Sequence, residues 1–186
     1  MSRPVRINNY APCGGLEWGV YVVAFHDCPH CETLLNRRRF KRLMYVLNKS
    51  GFVFRLIFFP RQFYGGQFNE MWYEDIDNCI ANYALLLAYA QGFLNYDTQR
   101  YHWLDAYVTS PLILLVPPEP RKPIIMPMEL VGKLTMYPEN SPEFNEALLF
   151  ITAFLRGKVY GAIEEIAPAP ATRRTRGARA TAGGGV

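Results

Sequence analysis

The sequence predicts an α/β fold, and three observations lead there. Two apolar runs come first: Val20 to Phe25 (VYVVAF), unbroken, has the β-branched and aromatic content of a strand buried on both faces, and Phe52 to Phe59 (FVFRLIFF), broken only by Arg55, reads as a second buried strand. Stretches of helical period lie between and after them, so that strands and helices alternate. A chain of 186 residues, 50% hydrophobic and 15% aromatic, is also long enough to bury one sizeable core.

The elements follow in order. From Pro29 to Asn48 the pattern is helical, with Phe40, Leu43, Met44 and Leu47 forming an apolar stripe, until Ser50 and Gly51 stop it. The basic residues Arg37, Arg38, Arg39, Lys41 and Arg42 fall mostly off that stripe and read first as a solvated helix face. Pro60 ends the second strand. Residues 61 to 74, rich in glycine and aromatics, read as a loop or short irregular helix. Ile76, Cys79, Ile80, Tyr83, Leu87, Ala90 and Leu94 then recur at helical spacing in a helix that is apolar almost all round. Leu112 to Val116 is a third strand closed by Pro117 and Pro118, and Leu130 to Tyr137 (LVGKLTMY) is expected as a fourth, with Gly132 at a turn or bulge. Ser141, Pro142 and Glu143 open a last helix, because serine caps and proline is tolerated in the first turn. Phe144, Leu148, Ile151 and Leu155 give that helix one apolar face, and Gly157 ends it.

Composition narrows the classes of function. The segment MSRPVRINNY has two arginines but no apolar stretch after them, unlike a cleaved secretory signal. The longest apolar segment, Cys79 to Leu94, contains Asn82 and Gln91 and is too short and too polar to span a bilayer. The expectation is a soluble protein of a reducing, cytoplasmic compartment, or of a virion if the source is viral, with no membrane partner. Four cysteines in such a chain do not read as a disulfide framework, which gives weight to catalytic or metal chemistry. Residues 167–186 are built from Ala, Pro, Gly, Thr and Arg, with Val186 the one apolar residue larger than Ala and no acid, a composition that cannot bury enough to offset chain entropy. They read as a disordered basic tail that offers nucleic acid a contact through Arg173, Arg174, Arg176 and Arg179, or as a solvated terminus.

The cysteines in FHDCPHCETLL carry the chemistry. Cys28 stands where the first strand gives way to the first helix, and Pro29 occupies the first helical position, so Cys28 falls at the N-cap. Unpaired N–H groups and the partial positive charge of a helix start favour a thiolate, and His30 adds a second positive charge when protonated. Cys31, one turn on, is placed to attack a mixed disulfide formed at Cys28, which is thiol-disulfide exchange. Two other readings stand beside this one: half of a zinc site, which lacks a second C-x-x-C or His pair, and a purely structural pair of buried thiols. Cys79 lies on an apolar helix stripe and reads as a small core residue, whereas Cys13, in APCGG, reads as incidental. Trp72 and Trp103 read as core.

The stretch VYVVAFHDCPHCETLL resembles the active-site region of the thioredoxin superfamily, and its CPHC form is similar to that of bacterial DsbA-type disulfide oxidoreductases. VTSPLILLVPP resembles the family's cis-proline segment, and LVGKLTMYPENSPEFNEALLFITAFL its closing strand and helix. The resemblance implies a thioredoxin-like domain over residues 16–160, after an N-terminal extension at 1–15, with a central mixed sheet of about four strands flanked by helices. It implies a cis Ser110-Pro111 bond, with Pro111 against the cysteine pair and the Ser110 backbone free to pair with an extended substrate. It further implies a protein disulfide oxidoreductase with Cys28 as nucleophile, Cys31 resolving, Pro29 and His30 tuning the motif, and no cofactor beyond the Cys28-Cys31 disulfide. Its partners are protein thiols or disulfides and an upstream thiol oxidase or reductase.

Two departures qualify the likeness. The family's buried acid six positions before the first active-site cysteine is Val22 here, which leaves proton transfer to water, His26, Asp27 or Glu17. Eighty positions separate Cys31 from Pro111, so a mostly helical, aromatic-rich insertion is expected over about 61–107. CPHC favours the oxidising direction and the missing signal the reducing one, so the direction stays open. The alternative of a different class is a thioredoxin-like scaffold or interaction protein, with its tail on nucleic acid or an assembly partner, as in a viral particle.

Overall fold

A computed structural model describes residues 6–25, 28–59, 76–93 and 110–157. In chain order they form β1 (Ile7–Asn8), β2 (Leu16–Glu17), β3 (Gly19–Phe25), α1 (Pro29–Leu34), α2 (Arg37–Ser50), β4 (Val53–Phe59), α3 (Ile76–Ala90), β5 (Leu112–Val116), β6 (Ile124–Ile125), α4 (Met128–Met136) and α5 (Pro142–Arg156). A four-stranded mixed sheet has the order β4-β3-β5-β6, and β1 and β2 make a separate two-stranded ribbon. β3 pairs parallel with β4 and antiparallel with β5, which pairs antiparallel with β6. The described chain is therefore α/β, a mixed sheet flanked by helices.

Both central strands are buried along their whole length. Successive side chains alternate between faces, as a pleated strand requires. Tyr21, Val23 and Phe25 of β3 and Leu112, Leu114 and Val116 of β5 join a cluster on one face with α3. Val20, Val22, Ile113 and Leu115 join a second cluster with α2, α4 and α5. Burial on both faces explains why these strands read as continuous apolar runs. Gly19 lets β3 run close against the start of β4, since a Cβ there would fall on the Val53 carbonyl.

Three local expectations hold in place. Gly51 takes the left-handed conformation after α2, with φ of 85°. Ser141 caps α5, its Oγ accepting from Phe144 N at 3.1 Å, and Gly157 closes that helix with φ of 68°. The single long helix expected after Pro29 is instead two. Asn36 interrupts it, because its Oδ1 accepts from Arg38 N at 3.1 Å and so starts α2 afresh.

The expected strand over Leu130 to Tyr137 is corrected, since residues 128–136 are the helix α4. Its buried residues Val131, Leu134 and Thr135 recur at helical rather than alternating spacing. Glu129 lies in its first turn and Lys133 in its last, both matched to the helix dipole. Gly132 makes no turn, and the fourth strand is β6, two residues long. Of the basic residues of α2, Arg37, Arg38, Lys41 and Arg42 lie exposed, as a solvated face, and Arg39 is partly buried. Arg39 donates to the carbonyls of Leu134, at 2.9 Å, and of Tyr137, while Arg42 donates to Asn145 at 2.9 Å. Arg38 lies 3.9 Å from Glu139. The tail and most of the expected insertion lie outside the described residues, as do Trp72 and Trp103; α3 is the described part of 61–107.

Gly19→Ala is expected to force β3 and β4 apart and to lower stability by about 3 kcal/mol or more, at the upper end of overpacking costs. Urea denaturation of the variant beside the wild type reads this directly.

Candidate functional site

Strand β3 delivers the chain to Cys28, and β5 starts beside it. Cys28 is the N-cap of α1, with φ of −95° and ψ of 114°, and Pro29 opens the helix. Its Sγ accepts from the backbone N–H of Cys31 at 3.1 Å. Ser110 Oγ donates to the same sulfur at 3.0 Å, and Ser110 O lies 3.8 Å away as an acceptor for the thiol form. The Ser110-Pro111 peptide bond is cis, and both residues are buried. Two donors aimed at one sulfur favour its anion, which makes Cys28 rather than Cys31 the better thiolate by geometry.

Cys28 and Cys31 are paired, with Cα atoms 5.2 Å apart, inside the range a disulfide spans. The pair is also deeply covered, with Cys28 only 2% and Cys31 1% exposed. Pro29 and His30 lie exposed beside it. Water around the His30 imidazole screens any charge it carries, so tuning from this position is weaker than from a buried one. Val22 is fully buried and belongs to the core on the opposite face of the sheet from the cysteines. Glu17, in β2, lies at the other end of β3, about 20 Å of strand away. His26 and Asp27, the remaining proton carriers considered, lie outside the described residues, as do Arg173, Arg174, Arg176 and Arg179.

The other two cysteines are not isolated. Cys13 and Cys79 pair, with Cα atoms 5.9 Å apart and a sequence separation of 66. This corrects both readings: Cys13 is not incidental, and Cys79 is not simply a core residue. Four cysteines allow three pairings, and neither spacing nor period distinguishes them, which is why the sequence did not reveal this one. Among the described residues, no group of three or more His, Cys, Asp or Glu side chains is placed to hold a metal ion, and no helix is long and apolar enough to cross a membrane.

A cavity of about 210 Å³ opens at the far end of the sheet, where Glu17, Tyr21, Val53, Arg55, Ile76 and Ile80 meet. Tyr21 Oη donates to Glu17 O at 2.8 Å. Arg55, which lines it, pairs with Asp77 at 2.5 Å. Burial, seconded by the Glu17 carboxylate, pushes the Tyr21 phenol up to about 12 against the pull of Arg55.

No known protein family, curated protein or solved structure matches the chain. The reading of the site therefore rests on its own geometry and on the sequence motif.

Two measurements follow from this geometry. Ser110→Ala removes one of the two donors to Cys28, and a hydrogen bond to a charged group contributes about 1.5–3 kcal/mol, so alkylation of reduced Cys28 at pH 7 should slow about tenfold. Mass spectrometry of the labelled peptide measures this. The raised Tyr21 phenol also has a sign for stability: the folded protein keeps its proton while an unfolded chain releases it near pH 10. Its contribution is complete below about pH 10 and is lost as pH rises towards 12. Denaturation between pH 8 and 11.5 should show the wild type declining more steeply than Tyr21→Phe.

Proposed function

We propose that the chain is a thiol-disulfide oxidoreductase of thioredoxin-like type acting on protein cysteines through Cys28 and Cys31. The observation that carries this reading is the convergence on Cys28 Sγ of Cys31 N, at 3.1 Å, and Ser110 Oγ, at 3.0 Å. These are donors from a helix start and a strand start that lie far apart in sequence. The CPHC motif and the four-stranded mixed sheet support the same reading.

In the reducing direction, the Cys28 thiolate attacks one sulfur of a substrate disulfide. A Cys28-substrate S–S bond forms, the substrate's own S–S bond breaks, and the other substrate sulfur leaves as a thiolate. The Cys31 thiol then loses its proton to water and attacks Cys28 Sγ, which breaks the mixed disulfide and releases the second substrate thiolate. The substrate has gained two electrons, and the pair is left oxidised. The oxidising direction is the reverse: a substrate thiolate attacks the Cys28-Cys31 disulfide at Cys28. Ser110 and the Cys31 N–H steady the Cys28 anion in either direction, and an upstream thiol oxidase or reductase resets the pair. Access is the step the fold restrains, because both sulfurs lie under the core surface.

That burial also favours a second reading, in which Cys28-Cys31 is a structural pair and the chain is a scaffold or interaction protein, with its basic tail on nucleic acid or an assembly partner. The two separate cleanly by trapping. With an oxidised, disulfide-bonded protein substrate, reduced Cys31→Ser should accumulate a mixed disulfide through Cys28 and reduced Cys28→Ser should not. If neither variant traps substrate while both stay folded, the scaffold reading stands instead.

A further inference from the structure

Helix α2 shows solvent a face of one sign. Its exposed positions are Arg37, Arg38, Lys41, Arg42, Tyr45, Asn48 and Lys49, which recur at the three- and four-residue spacing of a single helix face. The opposite face carries Leu43 and Leu47 into the core. All but two of the outward residues are cations, and α2 contains no acid, although the chain has 16 Asp and Glu to place. Among the described residues Arg38 alone of these cations meets a carboxylate, that of Glu139 at 3.9 Å, and its own side chain is 84% exposed. Such a contact neutralises little. Arg42 donates to an uncharged partner, Asn145.

The fold gains nothing from this arrangement. Arg37 and Lys41 stand four apart, as do Arg38 and Arg42, so each pair repels. The cations crowd the start of the helix, where its dipole favours acids, and the first turn has none. Arg39 is accounted for by its bonds to the carbonyls of Leu134 and Tyr137. The side chains of Arg37 and Lys41 make no hydrogen bond or ion pair among the described residues. In the middle of the cations stands Tyr45, 63% exposed, with Lys49 Nζ 5.7 Å from its ring centre. A ring left in water adds nothing to the core, yet it offers a flat surface on which a base stacks. The basic surface continues past the end of α2, where Arg156 of α5 donates to Ser50 Oγ at 3.2 Å.

A helix of this length presents a face about 20 Å long, with cations at both ends. The face is convex, so it does not enclose a small anion. An extended strand laid along it meets the cations in turn, and only a strand that carries bases also uses the ring. We propose that the outward face of α2 is a binding site for single-stranded nucleic acid, with Arg37, Arg38, Lys41, Arg42 and Lys49 on phosphates and Tyr45 stacked on a base. Leu43 and Leu47 pack in a different core cluster from Cys28 and Cys31, so this site stands independently of the oxidoreductase reading.

The test is fluorescence anisotropy of the full chain with labelled oligo(dT) and oligo(U) of about 16 nucleotides, at about 50–200 mM salt. Arg37→Gln combined with Lys41→Gln should weaken binding about tenfold at about 100 mM salt, and should make the slope of log affinity against log salt shallower by about 1.4, or about 0.7 for each lost phosphate contact. Tyr45→Ala should weaken binding by about tenfold as well and leave the slope unchanged, because stacking releases no counterion. The tighter of the two oligonucleotides identifies DNA or RNA as the ligand. All three substitutions lie outside the core, and thermal denaturation should place the double variant at or above the wild-type midpoint, since like charges have left the helix start. The proposal is overturned if neither oligonucleotide binds at about 50 mM salt. It is also overturned if the double variant binds as the wild type does, which assigns the binding to another part of the chain. Two further results overturn it by making the face a dock for an acidic protein: unchanged binding by Tyr45→Ala, or competition by poly-glutamate as strong as that by unlabelled oligonucleotide.

Discussion

The antiparallel register of β3 with β5 is the constraint on which the site depends. Val23 stands opposite Leu112 at the end of the ladder, so the chain leaving β3 towards Cys28 and the chain entering β5 at Ser110 meet at one sheet end. A slip of one residue would turn every side chain of a strand to the opposite face. Because both faces of these strands are packed against helices, such a slip would exchange the contents of two cores at once. The 3.0 Å contact between Ser110 Oγ and Cys28 Sγ, across 82 positions of sequence, is therefore fixed by apolar packing several residues away.

The ends of that sheet are tied by polar contacts that compensate for short elements. β1 and β2 have only two residues each, too few to hold themselves in place. Asn8, fully buried, supplies the missing attachment: its Nδ2 donates to Pro117 O at 2.6 Å and Arg121 O at 2.7 Å, and its Oδ1 accepts from Tyr10 N at 2.9 Å. Trp18 donates to Leu155 O at 2.7 Å and so joins the start of β3 to the end of α5. A buried amide with its groups satisfied specifies one geometry, since any other would leave it unpaired.

What was legible in the sequence follows from this division. β5 was read residue for residue, and β3 and α5 nearly so, because burial on both faces leaves an uninterrupted apolar run and because Ser141 and Gly157 mark helix ends chemically. β4 was located but its expected burial is corrected: it is the edge strand, with Arg55 and Phe58 exposed. The CPHC segment was legible as a junction of strand and helix, since Pro29 forces the helix to start there. α4 was misread because LVGKLTMY contains β-branched residues and a glycine, and its buried positions show helical spacing only over two turns. β6 was invisible, as two residues carry no period. Asn8, Gln91, whose side chain bonds the backbone of Ile125, and the Cys13-Cys79 pair share a different obstacle: each acts across a long sequence separation, on partners that only the folded topology brings close.

The two cysteine pairs differ most in the length of chain they enclose, and chain entropy gives that difference a size. Closing a loop as short as that between Cys28 and Cys31 restricts the unfolded chain by about 2 kcal/mol, against about 4 kcal/mol for one as long as that between Cys13 and Cys79. Whole domains are stable by only about 5–15 kcal/mol. Opening the shorter loop therefore costs the fold about half of what opening the longer one does. Reducing the pair that closes the longer loop would withdraw the larger share of that total. The two pairs thus differ about twofold in what their opening would cost the fold, and the difference lies in the unfolded chain rather than in any contact of the folded one.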